Sequence, residues 1–132
     1  MATHSGFAWD ESFKANADLS AKQWYAVKLT AADTVDMASA ATDLCVGILQ
    51  NKPTANHAAE VRILGITKVS SDGSGTAIVV GDRVGPNASS QIVKKATADY
   101  NAMGIALDAS SAAGTIIRVL LIPGMVFRTL AG

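Results

Sequence analysis

Chemistry in this chain would have to be assembled from His4, His57, Cys45, Ser74 and the acidic residues of its turns. Their spacing assembles none. His4 stands near the start and His57 in a loop, and no Cys-His, His-x-x-x-His or paired-carboxylate spacing supplies a metal with ligands. Ser74 lies between Gly73 and Gly75 but lacks the strand-to-helix elbow of a nucleophilic serine, and turn chemistry accounts for both glycines. The same stretch has neither the lysine of a phosphate-binding loop nor the spaced acids of an EF-hand. Asp72 and Asp82 are of the type that caps turns through backbone N–H groups two positions on. Cys45 sits in the apolar run LCVGIL, where a buried, inert thiol is expected, and it is the single cysteine, so there is no internal disulfide. His57 reads as a solvated loop residue. The expectation is therefore a protein without catalytic residues, cofactor or metal, and not an enzyme.

Two charges stand out by their setting. Arg62 lies inside EVRIL and Arg118 inside TIIRVLL, each an otherwise apolar run. One reading is an arginine held on a sheet face by a carboxylate such as Glu60 or Asp108; the other is a salt bridge between subunits. Lys94-Lys95 is a pair rather than a patch and fits a solvated strand end. Eleven basic and eleven acidic residues cancel to a formal net charge of +0. That removes the basic excess needed for a general grip on nucleic acid or anionic lipid. Charged residues are 17% of the chain, below the roughly 25% usual in soluble domains. With a mean hydropathy of +0.27, this points to a surface partly covered by a partner.

The elements that would carry these residues are strands. Residues 103–123, MGIALDASSAAGTIIRVLLIP, echo residues 46–64, VGILQNKPTANHAAEVRIL. Each unit has a Gly-Ile pair, a small polar connection and an apolar run containing an arginine. The echo extends backwards at one offset: Val27 and Val84, Val35 and Ile92, and Gly47 and Gly104 are each 57 residues apart. The expected internal pseudo-repeat therefore covers about 24–64 and 81–120. In QWYAVKL, Tyr25, Val27 and Leu29 alternate with Trp24, Ala26 and Lys28, the period of a strand. Gly47 within its strand suggests a bulge or a close backbone approach, and EVRILGITKV reads as a strand pair or one long strand bent at Gly65. Short strands with turn signals every eight to twelve or so residues indicate an all-β fold, a small β-barrel or sandwich of two similar halves. At 132 residues this is one domain, spanning 21–132.

Residues 1–20 carry Phe7, Trp9 and Phe13 without a clear strand or helix period, and read as an extended N-terminal arm. Either it folds against its own domain or it docks on a neighbouring subunit through its aromatics. On the second reading, deletion of residues 1–18 abolishes binding to the partner but leaves the β-domain folded. The run TIIRVLLIP is apolar on both faces apart from Arg118, so burial on both sides is expected, by the core and by a subunit. The tail adds Met125 and Phe127. No secretory signal is visible and no apolar run reaches the roughly 20 residues of a membrane span, so synthesis in a cytoplasm and no membrane partner are expected.

The run GITKVSSDGSGTAIVVGDRV followed by GIALDASSAAGTIIRVLL resembles the small phage capsid cement, or head decoration, proteins. Gly65-Ile66, Gly81-Asp82-Arg83-Val84, Gly104-Ile105-Ala106 and Arg118-Val119 match that family's places, over roughly residues 23–122. The first half carries Trp24-Tyr25 where the second has Gly81-Asp82. The resemblance implies a structural virion protein, made in the bacterial host cytoplasm. It implies attachment, as a homotrimer, to the major capsid protein on the outer surface of the head, where it stabilises the shell. Phe7, Trp9, Phe13, Trp24, Arg62, Arg118, Met125 and Phe127 are the candidate capsid or subunit contacts. Two other classes share the β-rich, site-poor composition. They are a phage tail or fibre component, and a small-ligand or carbohydrate-binding β-domain using Trp9, Trp24, Tyr25 or Tyr100.

Overall fold

A computed structural model of the chain describes residues 7–95 and 101–123. Among the described residues there are nine strands and no α-helix: β1 Trp9–Ala15, β2 Ala26–Ala31, β3 Thr34–Met37, β4 Gly47–Leu49, β5 Ala58–Asp72, β6 Arg83–Pro86, β7 Ile92–Lys94, β8 Gly104–Ala106 and β9 Ala113–Leu121. They pair in the order β1-β3-β2-β4-β5-β7-β6-β8-β9, and β5 also pairs with both β1 and β9. Those two further pairings close the sheet twice. The first half, β1 to β4 with the start of β5, is one closed circuit, and the remainder of β5 with β6 to β9 is a second. Each circuit is a five-stranded barrel without a free edge, which removes unpaired backbone groups that would otherwise template association.

The two barrels share β5, a strand of 15 residues. Residues 58–64 pair antiparallel with β1, and residues 65–72 pair antiparallel with β9. The changeover falls at Gly65, whose φ of 108° suits a residue without a side chain. The bent long strand legible in EVRILGITKV is the hinge piece of the architecture.

The halves match in detail. β1 joins β3 in parallel at Ala15 and Val35, and β5 joins β7 in parallel at Ser71 and Ile92. The N–H of Val46 donates to Val27 O, as that of Met103 donates to Val84 O. Asp33 and Ser90, 57 positions apart, both adopt positive φ, 54° and 65°. Side-chain alternation then gives two cores. Ala15, Leu19, Val27, Val35, Leu49, Ala59 and Val61 fill the first barrel, with Phe13, Met37 and Val46 packed against them. The second core contains Val69, Val84, Ile92, Ile117, Val119 and Leu121, and receives Ala26 and Ile48 from the first half. Because Ala26 and Val27 are consecutive, as are Ile48 and Leu49, their side chains leave opposite faces of β2 and β4. Those strands therefore serve both cores.

Residues 9–15, patternless as sequence, are strand β1, paired along its length with β5 and at its end with β3. Its period was hidden because Trp9, Asp10, Glu11, Ser12 and Lys14 are all exposed, leaving Phe13 half-buried and Ala15 buried. A strand lying mostly on the outside shows no apolar alternation.

Candidate interaction surface

β5 and β9 form the outer wall of the second barrel, and their register sorts the side chains into rows. Thr67, Val69, Ile117, Val119 and Leu121 point inward and are buried. Outward, Ile66 stands opposite Leu120 and Lys68 opposite Arg118. Ile66 is 45% exposed and Ile116 is 48% exposed. The last strand is thus buried on one side only within the chain. The other face is an apolar row beside a cationic row, open to solvent.

The two arginines do not occupy matching places. Gln50 N–H bonds Glu60 O and Leu107 N–H bonds Arg118 O, so the counterpart of Arg118 in the first barrel is Glu60. Ile48 pairs with Arg62 and Ile105 with Leu120, so the counterpart of Arg62 is Leu120. Matching the two apolar runs arginine to arginine sets these strands two residues out of register. A slip of two preserves the inside-outside alternation, which is why the apolar pattern still agreed.

Each arginine is tied to a carboxylate. Arg118 Nε and Nη2 donate to Asp108 at 3.0 and 2.9 Å, and its backbone N–H donates to the same carboxylate at 2.9 Å. Arg62 Nε and Nη2 donate to Asp10 of β1 at 2.8 and 3.1 Å, and Nη1 to Ile66 O at 2.9 Å. The partner of Arg62 is therefore in the N-terminal strand; Glu60 instead accepts from Ser12. These bonds hold Arg62 and Arg118 on the wall of a cleft of about 420 Å³ whose other lining includes Trp24, Ile66 and Lys68.

Trp24 is held there by its backbone. Its N–H donates to Leu49 O at 2.8 Å and its carbonyl accepts from Ser70 N–H at 2.9 Å, with φ at 77°. The corresponding residue of the second barrel is Gly81, which makes the same bond to Ala106 O at 2.8 Å with φ at 95°. The left-handed conformation belongs to the barrel; the tryptophan belongs to this position. It costs a residue with a side chain about 1–2 kcal/mol and glycine almost nothing. Gly81→Ala is accordingly expected to lower stability by about 1 kcal/mol, read as a shifted urea midpoint with an unchanged slope. The indole of Trp24 faces the Lys68 ammonium, 5.7 Å from the ring centroid, a favourable cation–π separation.

The remaining expected contacts are dispersed. Phe7 is 77% and Trp9 46% exposed, with the Trp9 indole N–H donating to Glu11, while Phe13 is turned into the first core. Met125 and Phe127 lie outside the described residues. Cys45 packs against the second core, and burial pushes its thiol up to about 12. His57 is exposed, with Nδ1 beside Thr54 Oγ1 at 2.8 Å and Ala55 O at 3.1 Å. Among the described residues no three His, Cys, Asp or Glu side chains gather where a metal ion could be held. The sequence reading missed Lys68 and Asp10. Only the pairing of β5 with β9 and β1 brings them to the arginines.

Two carboxylates are held well below the ordinary range by ion pairs. The Lys28 ammonium and then the Ser39 N–H hold Asp43 down at about 2, against an ordinary 3.8. The Arg118 guanidinium and then its N–H do the same for Asp108. Both folded values are depressed, so the unfolded chain binds more protons between these values. Their stabilisation is complete above about 3.8 and is lost as pH falls through 2. Urea midpoints measured from pH 5 to pH 2 are expected to fall less steeply for Asp43→Asn/Asp108→Asn than for the parent.

Residues 5–121 match the phage cement protein family. The chain belongs to that family. It is a structural protein of the phage particle, associated with the capsid. The fold is also similar to a solved structure described as head fiber gp8.5 N base in bacteriophage phi29, with a TM-score of 0.66, at 13% identity over 88% of this chain and 95% of that one. No curated protein matches.

Proposed function

We propose that this protein binds the outer surface of a phage head and stabilises the shell mechanically, without catalysing a reaction. The observation that carries this reading is the family match across residues 5–121. The balance of charge and the exposed apolar side chains of the β5/β9 wall support it. The partner on this reading is the major capsid protein, and the working unit is a homotrimer, made in the host cytoplasm and carried on the virion. Many weak attachments on a lattice reach high avidity without a strong single interface. Phe7 and Trp9 around the start of β1, with Ile66 and Ile116 on the β5/β9 wall, are exposed apolar side chains available as anchors.

Co-sedimentation of the full chain with expanded heads tests attachment, and the temperature at which those heads release DNA tests reinforcement. Attachment with a raised release temperature is expected; heads that sediment without the protein would end the reading. Light scattering after size exclusion tests the trimer. The likeness to a head fibre base favours one second reading, a pedestal that carries a fibre. Electron micrographs of decorated heads separate them, since a pedestal leaves a projecting fibre at few positions and a cement covers the lattice.

A further inference from the structure

Trp24 occupies a backbone conformation for which the second barrel uses Gly81, with the same hydrogen bond at the same place. Nothing in the barrel's closure calls for an indole there, since Gly81 closes its circuit with no neighbour within 4 Å of where a side chain would begin. A side chain kept at a strained position points to a use for that side chain. The indole lies on the cleft wall beside Lys68, and Lys68 stands directly across from Arg118. Like charges opposite one another on a sheet face repel. Asp108 neutralises Arg118 and Asp10 neutralises Arg62, while among the described residues no carboxylate pairs with Lys68. Three cations face two acids, which leaves the cleft one negative charge short.

We infer that the cleft receives an acidic side chain from an extended segment of a partner protein, with an aliphatic side chain two residues away along that segment. The carboxylate meets Lys68 and Arg118, and the aliphatic group rests on Ile66 and Leu120 in the neighbouring row. Residues two apart on a strand are about 6.6 Å apart, the spacing of the two rows on β5. Trp24 walls the site, and its ring face holds the Lys68 ammonium beside the position the carboxylate takes. A protein segment suits this charge better than nucleic acid, because one missing charge in a chain of formal net charge +0 offers no track for a phosphate backbone. That the segment belongs to the shell protein rests on the reading given under Proposed function.

The test has two arms. In the first, the isotopically labelled full chain is titrated with the capped peptide Ala-Glu-Ala-Leu-Ala and with its glutamine counterpart, and followed by amide and indole resonances. Saturable shifts at Trp24, Lys68 and Arg118 are expected with the glutamate peptide, with affinity on the order of tenfold weaker for glutamine. Lys68→Glu should abolish them. Trp24→Gly should weaken them while the rest of the spectrum stays in place. Equal binding of both peptides, or shifts elsewhere on the surface, overturns the inference. So does a short oligothymidylate that shifts the same resonances at lower concentration, which would give the cleft to phosphate. In the second arm, Lys68→Glu is expected to weaken binding to heads on the order of tenfold. Unchanged binding to heads overturns the assignment to the shell, and a Lys68→Glu variant that turns an oligomer into a monomer gives the cleft to a second copy of this chain. If the parent protein itself ignores heads, the capsid reading fails and the peptide arm alone decides the cleft.

Discussion

Deletion of residues 1–18 is expected to destroy the cooperative fold of the first barrel rather than to release an accessory arm. The deletion removes β1, and with it the strand that pairs with residues 58–64 of β5 and closes the circuit onto β3. Phe13 and Ala15 leave the first core, which has few large side chains to begin with. The Asp10 partner of Arg62 goes too, and the facing edges of β3 and β5 are left with unsatisfied backbone groups. Stability of a domain this size is about 5–15 kcal/mol in total, and loss of a closing strand takes a large share of it. The expected result is loss of the first-barrel resonances and aggregation through the opened edge. A truncated chain that unfolds in one transition at the parental midpoint would show that β1 contributes little. Loss of head binding by this truncation therefore says nothing about an arm. The cleaner probe of the exposed aromatics is the double substitution Phe7→Ser/Trp9→Ser, which leaves Phe13 and Ala15 in place.

Sequence pattern showed the fold wherever a residue was buried on one side and free on the other. Val27 with Val84 and Val35 with Ile92, 57 residues apart, all proved to be core positions. β1 escaped because its exposed side chains are polar or aromatic on both faces and its burial is confined to one end. The double closure of the sheet was also illegible: a strand of 15 residues that pairs differently along its two halves looks, as sequence, like any long strand. The cleft was half legible. Trp24, Arg62 and Arg118 stood out by type, and Trp24 also by standing where the repeat has a glycine. Lys68 and Asp10 carried no signal, since an exposed lysine and an exposed aspartate are the commonest of surface residues. What makes them matter is a cross-strand register, and register is a property of pairing.

The second large effect is expected at the glycines that open the repeated Gly-Ile pair. A Cβ built on Gly47 would overlap the carbonyl oxygen of Arg62 and crowd Val61 Cγ1 at 2.7 Å. One built on Gly104 would overlap the carbonyl oxygen of Leu120 and approach Val119 Cγ1 at 3.0 Å. Neither glycine has the positive φ that would explain it by conformation; the reason is the closeness of the neighbouring strand. The obstacle in each case is backbone, which cannot swing aside as a side-chain tip can. Relief requires β4 to move from β5, or β8 from β9, and each of those short strands is paired on both sides within its barrel. Gly47→Ala and Gly104→Ala are each expected to cost about 3 kcal/mol, the upper end of overpacking. Urea unfolding monitored separately at Trp24 and at second-barrel resonances measures both. Gly47→Ala should strike the first barrel and also disturb the second, because Ile48 next to it serves the second core. Gly104→Ala should act mainly on the second. A midpoint unchanged from the parent for either variant would mean that the two strands stand farther apart than this packing requires.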